Sequence, residues 1–138
     1  MKIRQDFVTN SSSTSFVISM KEKFTLKNFL KALKVNDKGL MNQFYIDTFE
    51  VINKNKQEIN LKFEKNDLGL FNFDDFLDFY CESEIVIDNV KKLLENKREV
   101  YLGEFENYSM NSIEEYLLKT VIDISTDDIF FSSLRDYF

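Results

Sequence analysis

Hydrophobic and polar positions alternate with several different periods along the chain, and each period names an element. Phe16-Val17-Ile18-Ser19-Met20, large or β-branched apart from one serine, stands between a hydroxyl-rich run and Lys21-Glu22-Lys23. It reads as a first strand. Before it, the hydroxyls of Ser11 to Ser15 compete for backbone partners, so Asn10 to Ser15 is expected to be a turn or loop. Thr25 then stands where an N-cap would, and Leu26, Phe29, Leu30 and Leu33 follow at helical spacing. Lys27, Lys31 and Lys34 fall on the opposite side and read as a solvated face in preference to a phosphate-contacting one. Asn36-Asp37-Lys38-Gly39 is expected to stop this helix.

The stretch from Gln43 to Ile52 is rich in aromatic and β-branched residues, and Ile59, Leu61 and Phe63 alternate beyond the polar Asn53 to Gln57. Together they predict a hairpin with strands at 43–52 and 58–64. Phe73, Phe76, Leu77, Tyr80 and Cys81 return to helical spacing over 72–81, with Asp74, Asp75 and Asp78 toward the positive end of the helix dipole. A helix from Ser83 directs Val86, Val90, Leu93 and Leu94 inward, and Val100 to Phe105 carries apolar residues on both faces, as a strand covered on each side does. Ser112-Ile113-Glu114-Glu115 spells a capping box opening a helix with Ile113, Tyr116, Leu117, Thr120 and Val121 inward, widened by Leu118 and Ile122. The apolar residues of Asp128 to Phe138 favour a last docked strand or short helix. Strands mixed with helices without strict βαβ order predict one α+β domain over 1–138, with a mostly antiparallel sheet of four or five strands and about four helices.

The opening Lys2-Ile3-Arg4-Gln5-Asp6-Phe7-Val8-Thr9-Asn10-Ser11-Ser12-Ser13-Thr14-Ser15-Phe16 resembles the start of a widespread set of small, mostly uncharacterised proteins of bacteria, archaea and their phages. Their shared beginning is K-I-R-x-D-F-V-T-N followed by serines and Phe. This chain departs from it at Thr14, where the hydroxyl survives. The resemblance implies no particular activity, cofactor or catalytic residue.

Composition removes several chemistries. The chain has no histidine and one cysteine, Cys81, so neither an internal disulfide nor a cysteine-based zinc site is available, and the commonest general base is missing. No apolar stretch has the length of a signal peptide core or a membrane span, so a cytoplasmic protein with no membrane contact is expected. Three isolated glycines, at 39, 69 and 103, make no phosphate-cradling loop. The hydroxyl run lacks both a histidine and a Ser-x-x-Lys pattern to activate a nucleophile, although consecutive backbone donors at Ser11, Ser12 and Ser13 suit an anion. No cofactor is expected.

Charge is unevenly laid out. Residues 1–40 carry eight Lys/Arg against three Asp/Glu, whereas residues 74–138 carry six against 16. An acidic balance over most of the chain argues against direct nucleic-acid contact and for a protein partner with a basic surface. The expected contact set is Asp74, Asp75, Asp78, Glu104, Glu106, Glu114 and Glu115. The leading expectation is a non-enzymatic interaction module, such as a phage or mobile-element inhibitor occupying the nucleic-acid groove of a host defence protein in the manner of anti-CRISPR proteins. Two alternatives stand beside it: a metal-assisted hydrolase using Glu104 and Glu106, and a role for Asn10 to Ser15 as a site of modification or processing. Phe71, Phe73, Phe76, Phe79 and Tyr80 exceed what one helical face can bury, which predicts an exposed aromatic patch.

Overall fold

The computed structural model describes residues 13–35, 39, 41–70, 72–81, 83–106 and 112–134. Five strands form one antiparallel sheet in the order β2-β3-β1-β5-β4: β1 Ser13–Met20, β2 Gln57–Glu58, β3 Val100–Glu106, β4 Asp123–Ser125 and β5 Ile129–Ser133. Six helices accompany them among the described residues: α1 Leu26–Ala32, α2 Asn42–Asn55, α3 Ile59–Glu64, α4 Phe73–Cys81, α5 Glu84–Glu95 and α6 Ser112–Lys119. The chain is a single α+β domain, as the mixture of periods predicts.

The central strand is β1, and its alternation builds two cores. Phe16, Ile18 and Met20 face one side, where they meet Phe29 of α1, Val51 and Ile52 of α2, and Leu117 and Leu118 of α6. Val17 faces the other, with Val100, Leu102 and Phe130 from the flanking strands, against Ile59 of α3, Phe76, Leu77 and Cys81 of α4, and Ile87 and Val90 of α5. Because side chains on a strand alternate between faces, one short apolar run seeds both layers. β3 lies between β2 and β1, so the two-sided pattern of Val100 to Phe105 corresponds to a strand covered on both faces.

Local capping also follows the sequence. The Thr25 hydroxyl accepts from the Asn28 N–H at 3.1 Å, Ser83 Oγ accepts from the Val86 N–H at 3.4 Å, and Asn72 Oδ1 accepts from the N–H groups of Asp74 and Asp75. Helix α1 ends earlier than expected: Leu33 caps it and Lys34 takes the left-handed conformation (φ 59°), before the residues at 36–38, which lie outside the described ones.

Two expectations are corrected. Segments 43–52 and 59–64 are helical, which raises the helix count above four and leaves only Gln57 and Glu58 as strand, in β2. In α2 the aromatic residues that favour a strand by propensity are held by tertiary contacts: Phe49 stacks on Phe24 at 4.8 Å and meets Phe29 at 5.4 Å, while Thr48, Val51 and Ile52 turn inward. In α3 the alternation of Ile59, Leu61 and Phe63 has a helical solution too, with Ile59 buried and Phe63 packed on Phe73 and Phe76 one turn apart, while Leu61 faces outward. The second correction concerns the hydroxyl run, because Ser13, Thr14 and Ser15 extend β1 opposite Glu106, Phe105 and Glu104.

Candidate functional site

The helices on the Val17 face leave one end of the sheet open. Leu102 pairs with Val17, and Val17 with Ser132; one step along the same face, Glu104 pairs with Ser15, whose carbonyl accepts from the Leu134 N–H at 2.8 Å. Glu104, Ser15 and Leu134 thus make a row across three strands. The last turns of α4 stand over that row, and together Ser15, Asp78, Phe79, Tyr80, Glu104 and Leu134 line an open cleft of about 480 Å³. Glu106 follows Glu104 two residues later on the same strand face, about 7 Å along.

Two carboxylates from different elements therefore converge here, Asp78 from α4 and Glu104 from β3. Phe79 adds an apolar surface that is 54% exposed, and its ring meets that of Tyr80 edge-on at 5.1 Å. Tyr80 in turn packs on the fully buried Phe76 at 4.9 Å, which fixes the wall of the cleft to the core. Burial raises the Tyr80 pKa, and the negative charges of Glu104 and Asp67 raise it further. The ammonium of Lys62 lies 5.2 Å above the Tyr80 ring, so this wall already holds a cation against an aromatic face. Carboxylates beside aromatic rings suit an ammonium or guanidinium, through charge-assisted hydrogen bonds and cation–π contact.

The other expected contact residues are placed differently. Asp75 is exposed on α4, while Asp74, one residue earlier, pairs with Lys91 of α5 at 3.0 Å. Glu115 is exposed on α6 and pairs with Lys119 one turn on at 3.5 Å; the Ser112 side chain of the expected capping box lies outside the described residues. Glu114 leaves the contact set altogether. It is 3% exposed, and its Oε2 accepts from Asn55 Nδ2 at 3.1 Å and from the Glu106 N–H at 2.8 Å. β2 is too short to pair with this end of β3, and the Glu114 carboxylate takes the place of a strand partner there, tying α2, β3 and α6 together. Leu117 and Leu118 are buried as their spacing predicts, whereas Tyr116 on α6 and Val121 just beyond its end, both expected inward, face outward.

Of the anion-binding serines, Ser11 and Ser12 lie outside the described residues, and the Ser13 backbone is extended and paired with Glu106. An anion nest needs successive N–H groups turned inward, which an extended strand residue does not provide. Cys81 is buried, and burial together with the charge of Asp78 pushes its pKa to about 12, which keeps the thiol protonated and unreactive. Among the described residues no group of three or more Asp, Glu, Cys or His side chains is arranged to hold a metal ion, and no helix is long and apolar enough to cross a membrane.

Sequence reasoning missed Ser15 and Leu134 as cleft residues, since only the strand register brings them beside Glu104. The aromatic surplus around Phe76 did signal Phe79. Comparison with family models, curated proteins and solved structures finds no match for this chain.

Proposed function

We propose that the domain is a non-enzymatic interaction module whose cleft receives a basic segment of a protein partner. The observation that carries this reading is the convergence of Asp78 and Glu104, from a helix and a strand, on one open cleft beside the exposed ring of Phe79. Asp78 and Glu104 supply acceptors, Phe79 and Tyr80 cover the methylene stem of a bound Lys or Arg, and Asp75 and Glu106 extend the negative charge beyond the cleft. The basic nucleic-acid groove of a host defence protein is a surface of this kind, and the resemblance of the first sixteen residues to proteins of bacteria, archaea and their phages is compatible with a phage or mobile-element origin.

The test uses a fluorescently labelled arginine- and lysine-rich peptide titrated with the full chain, read by anisotropy at several salt concentrations. Saturable binding that weakens as salt rises is expected. Asp78→Asn and Glu104→Gln should each weaken it about three- to tenfold, in line with roughly 1 kcal/mol for a hydrogen bond to a charged group in a partly exposed site. Affinity independent of salt, or variants that bind as the parent does, would overturn the reading.

A further inference from the structure

The cleft occupies the Ser15 end of β1, and the other end of the same strand has the opposite charge. Met20 leads directly into a stretch, 21–34, that carries Lys21, Lys23, Lys27, Lys31 and Lys34 against the single acid Glu22. All five lysines are exposed. At the rise of an extended strand, Ser15 and Lys21 are about 20 Å apart, about two screening lengths at 0.1 M salt. A ligand at the lysine end is therefore largely shielded from the acids of the cleft.

The fold arranges these lysines as a surface. Helix α1 buries Phe29 against Phe24 and Phe49, which turns Lys27 and Lys31, one turn apart, toward solvent. Lys34 continues the stripe at the left-handed residue that closes the helix. Acids do stand on the neighbouring elements: Glu22 in the loop, Asp47 and Glu50 on α2, and Asp127 and Asp128 in the turn whose Asp128 carbonyl accepts from the Lys21 N–H at 2.9 Å. None of them pairs with these lysines. The ion pairs among the described residues are Lys91 with Asp74 and Lys119 with Glu115.

We infer that Lys27, Lys31 and Lys34, with Lys21 and Lys23 beside them, form a contact surface for the phosphate backbone of a nucleic acid. The chain-wide charge argues against such contact only if positive charges are dispersed, and here five are gathered in the one stretch 21–34, on α1 and its flanks, away from the acidic cleft. Lysine meets phosphate as a point charge, and the stripe has neither arginine nor an exposed aromatic ring to read a base, so recognition is of the backbone and not of sequence. The large apolar side chains exposed among the described residues lie on other elements, which disfavours an anionic membrane, where an apolar face would have to insert.

The test is anisotropy of labelled single-stranded and duplex oligonucleotides of about 20 nucleotides, titrated with the full chain between roughly 20 and 200 mM salt. Three to four phosphate contacts predict a slope of log K against log salt of about -3, with little dependence on sequence. The triple variant Lys27→Glu, Lys31→Glu, Lys34→Glu should lose at least tenfold in affinity while its circular dichroism stays that of a folded protein. The charge-matched control Lys65→Glu, Lys92→Glu, Lys97→Glu, at exposed lysines away from both surfaces, should change affinity by less than twofold. Asp78→Asn with Glu104→Gln should leave oligonucleotide binding intact, so that failure of the cleft reading and failure of this one are distinguishable. No binding at the lowest salt, equal losses in triple variant and control, or tighter binding to phosphatidylserine vesicles than to either oligonucleotide would overturn the inference.

Discussion

Gly103 is the position where one added methyl group should cost most. A Cβ built there would lie 2.5 Å from Cζ and 2.8 Å from Cε2 of Phe16, and 2.7 Å from the carbonyl oxygen of Asn55. Neither neighbour has room to retreat. The Phe16 ring is fully buried, stacked on Phe105 at 4.6 Å and set edge-on to Phe131 at 6.1 Å. The Asn55 oxygen belongs to the backbone at the end of α2, whose side chain is bonded to Glu114. Overpacking a filled core costs about 1–3 kcal/mol, and two simultaneous overlaps, one with backbone, place Gly103→Ala near the top of that range. For a domain of this size about 3 kcal/mol corresponds to a fall in Tm of roughly 10 °C. Urea unfolding followed by circular dichroism measures it. A double-mutant cycle with Phe16→Leu isolates the clash, because the smaller side chain vacates part of the space the new methyl needs. The double variant should be about 1–2 kcal/mol more stable than the sum of the single losses implies. A loss under about 1 kcal/mol for Gly103→Ala would refute the close approach of Phe16 and α2 to β3, and strict additivity in the cycle would refute the contact with Phe16.

Two further outcomes follow from the buried polar groups. Glu114→Leu strands the Asn55 amide and the Glu106 N–H and should lower unfolding free energy by about 2–3 kcal/mol, whereas Glu114→Gln, which keeps an acceptor, should cost about half of that; equal losses in urea titrations would count against the edge-capping role. Stability should also fall in alkali. Burial pushes the Cys81 thiol to about 12, with Asp78 adding to it, and burial with the hydrogen bond and charge of Glu99 and the charge of Glu58 pushes Tyr101 to about 12. Both groups hold protons in the native state that the unfolded chain has released, so their contribution is complete below about pH 8 and is lost as pH rises toward 12, at up to about 1.4 kcal/mol per pH unit for Cys81 and by less for Tyr101, whose hydroxyl is screened by solvent. Urea midpoints measured from pH 8 upward should therefore decline, and Cys81→Ala should flatten the first part of the decline; a pH-independent midpoint, or an unchanged slope in the variant, contradicts this account.

What the chain determined by itself is what short-range physics encodes. The strand at Phe16 to Met20, the helices beginning at Thr25, Asn72 and Ser83, and the exposure of Phe79 all follow from spacing and caps that involve residues a few positions apart. Tertiary structure decided the rest. Residues 43–52 and 59–64 hold strand-favouring side chains in helices because Phe24, Phe29, Phe73 and Phe76, distant or only later in the chain, receive them there. Glu114 has the local spelling of a helix-start acid, yet it is buried as the acceptor for a strand edge and an asparagine 59 residues away. Asp78 and Glu104 line one cleft because strand register places Glu104 in the row over which the last turns of α4 stand. Periodicity specifies which face of an element is apolar; only the packing of whole elements specifies what that face, and the charges at its border, come to lie against.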